Sequence, residues 1–230
     1  MKKLIALGVT LAAALSLVAC GSSSSGGNDT VKESSSAKTT KAKVSSSAKA
    51  SSSNHEVTNG SPVKVGQWKY YSDFDADGTL VKIKNLNQTV KQGNVTVTIE
   101  NVKVYSMKPK NDDAKSTAAS YFGASGVTDP YYVLQVNWKA ANADSRELQT
   151  NGLESIVTNT GQQLDTGSGL QDAGTGATVQ RSANSEYEAD GLLSNSNYKA
   201  ITKLTVKLGS ICTTDTFEDV APETTISLNL

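Results

Sequence analysis

The sequence predicts an all-β domain, an antiparallel sandwich with one short helix. Three observations predict it: apolar residues alternate with polar ones over several short stretches, turn residues punctuate those stretches, and one segment carries helix start and stop signals. Gln67-Trp68-Lys69-Tyr70-Tyr71 and Leu80-Val81-Lys82-Ile83 read as two strands flanking an Asp-rich turn that ends in Asp77-Gly78, a pair suited to positive φ angles. Val95, Val97 and Ile99 alternate with Thr96, Thr98 and Glu100, the pattern of a half-buried strand. Val102 and Val104 then fall on the other parity, and a bulge near Asn101 reconciles the two halves. Asn111–Phe122 is the helix: Asn111 caps, Asp112 and Asp113 suit the first turn, and Gly123 stops it. Tyr132, Leu134, Val136, Trp138 and Ala140 alternate with Val133, Gln135, Asn137 and Lys139, which makes this the central strand and buries Trp138. Leu153–Thr158, Glu186–Leu193, Leu204–Leu208 and a C-terminal strand through Ile226, Leu228 and Leu230 bring the total to between seven and nine.

Ahead of this domain the texture is different. Met1-Lys2-Lys3 is a short basic segment, and Leu4–Val18 is an apolar run too short and wrongly flanked for a spanning helix. It ends in Leu17-Val18-Ala19-Cys20-Gly21, which resembles the lipobox of bacterial lipoproteins. That resemblance implies a signal peptide at residues 1–19, a diacylglyceryl group on the Cys20 thiol, and attachment to the outer side of the cell membrane. Two or more acyl chains bury enough methylenes, at ~0.8 kcal/mol each, for stable anchoring. Residues 20–62 then form a Ser- and Lys-rich stretch with almost no apolar side chains to offset its ordering entropy, so a disordered tether is expected. Such a tether averages roughly 35 Å end to end and reaches roughly 140 Å when stretched. That length, and Gly21 rather than an acid after the cysteine, favour a single-membrane cell with a thick wall.

Residues 63–230 remain for the folded domain, enough for one real core. They hold 15 basic and 19 acidic residues. That balance excludes nucleic acid, whose phosphates need a concentrated positive field. With Cys20 lipidated, Cys212 stands alone and no internal disulfide can form; beside Ile211 it reads as a small buried residue.

The order of the Val95–Val104 strand, a long insert, the Tyr131–Ala140 strand, the Val157-Thr158-Asn159-Thr160-Gly161 turn and Ala189-Asp190-Gly191-Leu192-Leu193 resembles the immunoglobulin-like domains of Gram-positive lipoproteins. That family has no known function and is structurally akin to a small secreted bacterial immunogenic antigen. The resemblance covers roughly residues 86–230 and implies an immunoglobulin-like antiparallel β-sandwich without catalytic residues to carry over. The chain departs from it in an extra N-terminal hairpin, residues 63–85, and in the 25-residue insert Ser106–Pro130.

Candidate chemistry is limited by histidine. The only one is His55, in the tether, which removes Ser-His-Asp and Cys-His machinery and His-based zinc sites from the domain. Asp73, Asp75 and Asp77, followed by Gly78, match the opening of a calcium loop, but the bidentate Glu due at loop position twelve is Lys84. The competing reading is a plain hairpin turn. Asp165-Thr166-Gly167-Ser168-Gly169 resembles one half of an aspartic-protease dyad, but no second Asp-Thr-Gly exists to share its proton, so a surface turn is expected. Ser196-Asn197-Tyr198-Lys199 has the Ser-x-x-Lys spacing of penicillin-recognising enzymes without their other elements.

The expectation is therefore a membrane-anchored, non-enzymatic module that uses no cofactor, acts as a monomer, and presents a recognition or scaffolding surface to an envelope protein, peptide or glycan. Its alternatives are a carboxylate-only envelope hydrolase and a ligand- or Ca²⁺-binding accessory module. Converging carboxylates with raised pKa values would mark the hydrolase, and an exposed aromatic patch would mark recognition. For that patch the insert offers Tyr121, Phe122 and Tyr131, with Tyr131 on the parity opposite to the core-facing Tyr132. The competing reading is that Tyr121 and Phe122 pin the insert to the sandwich.

Overall fold

The computed structural model describes residues 55–194 and 198–230. The lipobox with Cys20, the signal peptide, most of the tether and Ser196-Asn197 lie outside the described residues. The strands are β1 (Trp68–Tyr71), β2 (Ala76–Gln92), β3 (Val95–Pro109), β4 (Tyr131–Asn142), β5 (Leu148–Thr150), β6 (Leu153–Thr158), β7 (Gln163–Thr166), β8 (Gly169–Asp172), β9 (Ala177–Val179), β10 (Asn184–Leu193), β11 (Lys203–Leu208), β12 (Ile211–Thr213), β13 (Asp219–Ala221) and β14 (Thr224–Asn229). One α-helix, α1 (Asp112–Tyr121), interrupts them between β3 and β4.

The protein is all-β. A ten-stranded sheet in the order β1-β2-β3-β4-β10-β8-β7-β6-β11-β14 packs with a four-stranded sheet, β13-β12-β5-β9. Among these strands all pairings are antiparallel except a short parallel contact between β7 and β8. The large sheet curls until its ends approach: Gln88 Nε2 on β2 donates to the Ser227 carbonyl on β14 at 3.1 Å. Near the same seam, Gln92 Nε2 donates to the carbonyls of Gly209 and Pro222, each at 3.0 Å. Among the described residues no helix is long and apolar enough to cross a membrane.

The bulge expected near Asn101 lies between Ile99 and Asn101. It matters because it restores phase: Ile99, Val102 and Val104 stand opposite Trp138, Val136 and Leu134, and all six face the main core. That core adds aliphatic residues from both sheets, among them Leu148, Ile156, Leu204, Val206 and Ile211. Trp138 is 1% exposed. Its Nε1 donates to Asp172 Oδ1 at 3.0 Å, and its ring lies so close to Gly174 that a Cβ there would sit 2.1 Å from Cζ2. Asp172 is occupied further by the Leu153 and Gly174 amides at 2.6 and 3.1 Å, so a carboxylate the sequence did not single out anchors the tryptophan. Cys212 is free and buried.

The structure departs from the sequence expectation in three respects. The described residues form fourteen strands, more than expected because β5, β9, β12 and β13 have three residues each and β7 and β8 have four, too few for any period to register. β2 runs on to Gln92 through Lys84, Asn85, Asn87 and Gln88, with register shifts after Leu80 and Asn85 and Asn87 at φ 50°. Strand residues that polar give no alternation to read. Finally, the stretch assigned to the tether joins the domain before residue 63: the Val57 amide donates to the Trp68 carbonyl at 2.8 Å, and the Trp68 amide to the His55 carbonyl at 3.2 Å. β1 needs a neighbour on its outer edge, and backbone pairing asks nothing of side-chain composition.

Candidate functional site

The outer face of β3, β4 and β10 is laid out in cross-strand rows. Asn101, Asn137 and Glu188 share one register position, Lys103, Gln135 and Asp190 the next, and Tyr105, Val133 and Leu192 the one after. The face therefore grades from polar to apolar along the strands. The helix covers the apolar end. Its Asn111 side chain accepts from the Ala114 amide at 2.8 Å, and Ala114, Ala118 and Ala119 bring the helix close to the sheet. Phe122, which follows it, is buried with Tyr105, Met107, Tyr131 and Val133 in a second, separate core. The Phe122 carbonyl accepts from the Gly169 amide at 2.9 Å, tying the helix end to the β7–β8 turn.

The turn between β1 and β2 supplies the other wall. Asp75 is the residue there with positive φ (42°), while Asp77 and Gly78 are already strand residues opposite Tyr70 and Lys69. This corrects the expectation that Asp77-Gly78 forms the turn. Gly78 is required for a different reason: a Cβ there would lie 2.5 Å from the Tyr71 ring and 2.8 Å from Met107 Sδ. Asp75 accepts from Tyr70 Oη at 2.9 Å and from Asn111 Nδ2 at 3.0 Å, one oxygen each, and Asp77 pairs with Lys110 at 2.5 Å. Asp75 and Asp77 thus clamp the hairpin to the start of α1. Among the described residues no group of three His, Cys, Asp or Glu side chains is placed to hold a metal ion. Phe74 completes the join, with ring centroids 4.9 Å from Tyr121 and 6.2 Å from Phe122.

Between these walls and the sheet lies a cleft of about 280 Å³. Tyr71, Phe74, Tyr105 and Tyr121 supply rings, Met107 and Val133 an apolar floor, and Gln135, Glu188 and Asp190 a polar end, with Asp73 at the rim. The volume sits at the small end for ligand pockets and suits a side chain or one compact group. Gln135 Nε2 donates to Asp190 Oδ1 at 3.2 Å. Burial in this recess, and the neighbouring Glu188 charge, push the Asp190 carboxyl up to about 7. Burial raises Glu188 as well, opposed by the attraction of Lys103 and Lys69. Lys103 is buried on the same face, and its pKa is lowered by desolvation. The Tyr105 and Tyr131 hydroxyls are buried without hydrogen-bond partners, and burial raises both pKa values, that of Tyr131 to about 12. A buried hydroxyl left unpaired costs ~1–3 kcal/mol.

The three aromatic residues marked for binding are divided by this geometry. Tyr121 is 42% exposed and lines the cleft, whereas Phe122 and Tyr131 are each 1% exposed in the second core. The expected solvent-facing position of Tyr131 is corrected: opposite parity does put it on the outer face, but α1 and its following residues cover that face. Glu188 and Asp190 were not singled out by sequence. Their signal is alternation, since Glu188 and Asp190 interleave with Tyr187, Ala189 and Gly191 and so place two acids on one face of one strand. Asp165 lies at the end of β7 next to Gly167 (φ 81°), a turn as expected.

No protein-family model matches the chain, and no curated protein matches it. The β1–β2 turn and the segment between β3 and β4 are the ones that wall the cleft.

Proposed function

We propose that this protein is a lipid-anchored lipoprotein on the extracytoplasmic face of the membrane. Its immunoglobulin-like β domain is a non-catalytic recognition module that engages an envelope ligand through the cleft beneath α1. The observation that carries the recognition reading is the construction of the cleft: two segments added to a β framework meet through Asp75 and Phe74 to enclose four aromatic rings and a polar end. The lipobox at residues 17–21 carries the anchoring reading. Capture of a component from envelope extract by the whole chain, lost in Tyr121→Ala and in Glu188→Gln at unchanged melting temperature, is the expected result. Unchanged capture by both variants overturns the cleft as the site. Cys20→Ala is expected to leave uncleaved precursor or release the protein to the medium; a delipidated wild type free in the medium overturns the anchor.

One observation favours a second reading, a carboxylate hydrolase: an acid with a pKa near 7 beside another carboxylate is suited to acid–base work. The arrangement argues against it. Glycoside hydrolysis needs carboxylates flanking the scissile bond, and Glu188 and Asp190, two apart on β10, project from the same wall. Release of soluble fragments from purified cell wall by the wild type, abolished in Asp190→Asn, would establish the hydrolase instead.

A further inference from the structure

We propose that the ligand group taken by this cleft is a primary ammonium on an alkyl stem, such as a lysine side chain or an amino-terminal amine. The inference rests on the reading of the cleft as a recognition site and names the chemistry it selects.

Charge comes first. Asp73, Glu188 and Asp190 line the cleft and no Lys or Arg does. Lys103 and Lys69 lie close enough to Glu188 to lower its pKa, yet neither is a lining residue. The recess therefore presents acceptors and negative charge to whatever enters. Four aromatic residues, Tyr71, Phe74, Tyr105 and Tyr121, line the same recess, and a ring that meets the ligand by its face attracts a cation through its quadrupole, more strongly where water is displaced.

Hydrogen bonding then selects among cations. Tyr105 is 2% exposed, lines the cleft, and its hydroxyl has no partner. The Asp190 and Glu188 carboxylates and the Tyr105 hydroxyl are acceptors carried by lining residues, Glu188 at the exposed mouth and Tyr105 beside Tyr71 in the wall, and a primary ammonium carries three N–H donors to offer them. A quaternary ammonium has no donors to offer, and an alcohol has no charge. The alkyl stem is accommodated by Met107 and Val133.

A proton link follows. The groups facing Asp190 are Glu188 on its own strand, Asp172 and Gln171 on β8, Gln135 and Lys103 across the sheet, and Tyr71, Asp73 and Tyr121 from the hairpin and helix. Asp190 is poised near pH 7, whereas an alkylammonium titrates only near ~10. Binding therefore tightens as pH rises from 6 to 8, because the carboxyl ionises while the ligand stays charged.

The test is titration of the whole chain in neutral detergent with n-butylammonium, trimethylbutylammonium and 1-butanol, followed by amide chemical shifts at Gln135, Glu188 and Asp190. The expected order is n-butylammonium first, the quaternary analogue weaker, and 1-butanol at least ~10-fold weaker, as befits a lost charge-assisted hydrogen bond. Asp190→Asn should remove the pH dependence, and Tyr105→Phe should weaken n-butylammonium by ~10-fold while leaving 1-butanol unchanged. Both substitutions are near-isosteric, and unchanged shifts across the main core verify that each variant is folded. Equal binding of 1-butanol or of the quaternary analogue overturns the proposal. If n-butylammonium leaves the cleft amides unmoved while envelope extract shifts them, the ammonium assignment fails and the recognition site survives. If neither shifts them, both fail.

Discussion

The two cores of this domain use the same three strands and end differently. On the inner face of β3, β4 and β10, aliphatic residues and Trp138 close completely, and the indole N–H is matched to Asp172, while the Tyr187 hydroxyl beside it is buried without a partner. On the outer face, Tyr105, Met107, Phe122, Tyr131 and Val133 close only at one end. The remainder is left as a cleft lined by Tyr105, whose hydroxyl is unpartnered like that of Tyr131 in the closed part, and by carboxyls held above their usual range. The inner core closes over the unpaired Tyr187 hydroxyl. The outer core combines unpaired hydroxyls with an open cleft and raised carboxyls, and it is that combination which points to a role beyond burial.

The sharpest break of that comparison is Trp138→Ala. It removes the largest fully buried side chain of the inner core and strands the Asp172 carboxylate, so the loss is expected at about 3–5 kcal/mol. Chemical denaturation monitored through far-ultraviolet dichroism measures it, and a loss below ~1 kcal/mol would show that the core relaxes around the cavity.

Both faces hold a carboxyl whose pKa burial raises, Asp172 on the inner and Asp190 on the outer, and the outer one is pushed up to about 7. Asp190 has a raised pKa in the folded state, so the folded state holds more protons than the unfolded chain between the ordinary aspartate value and about 7. Its contribution to stability is therefore full at pH 4 and falls as pH rises through 7, by up to ~4 kcal/mol. Asp172 and Glu188 are also raised and slope the same way, so Asp190→Asn should flatten the decline between pH 5 and 8 without abolishing it, and should stabilise the protein at pH 8. A variant whose stability follows the wild-type curve across that range would remove the Asp190 carboxyl from the account.

Phe122→Ala separates the two cores. A buried Phe-to-Ala change costs about 3 kcal/mol, but here the loss falls on α1 and the β1–β2 turn, which Phe122 joins by packing against Phe74. Amide exchange is expected to accelerate over residues 111–123 while β6, β11 and β14 keep their protection. Uniform acceleration would mean that the two cores unfold as one.

The contrast also explains what the sequence revealed. Inner-face residues were legible because they alternate over long strands: the Ile99 bulge, the burial of Trp138 and the capped helix were all readable from spacing. The outer face was not, because its cover comes from segments distant in sequence. Nothing local to Tyr131 says that a helix will lie over it, and parity alone assigned it to solvent. Likewise Asp75 read as a possible calcium ligand because its partners, Tyr70 and Asn111, become neighbours only after the hairpin meets the insert. Cleft residues drawn from β1, β3, β4, α1 and β10 share no motif, so no local pattern marks the site.

The smallest effect is the most discriminating. Tyr105→Phe deletes a hydroxyl that has no partner and keeps the ring that packs at 5.8 Å against Tyr71. In a core built only for burial, removing a tyrosine oxygen loses a hydrogen bond and destabilises. Here it relieves a desolvated, unpaired group, so the ligand-free protein should be unchanged or stabilised by about 1 kcal/mol. Measured alongside, a loss of ligand affinity would place the value of that oxygen in binding rather than in folding. A clear destabilisation would instead reveal a hydrogen bond made by the ligand-free fold, and the Tyr105 oxygen would then belong to folding rather than to binding.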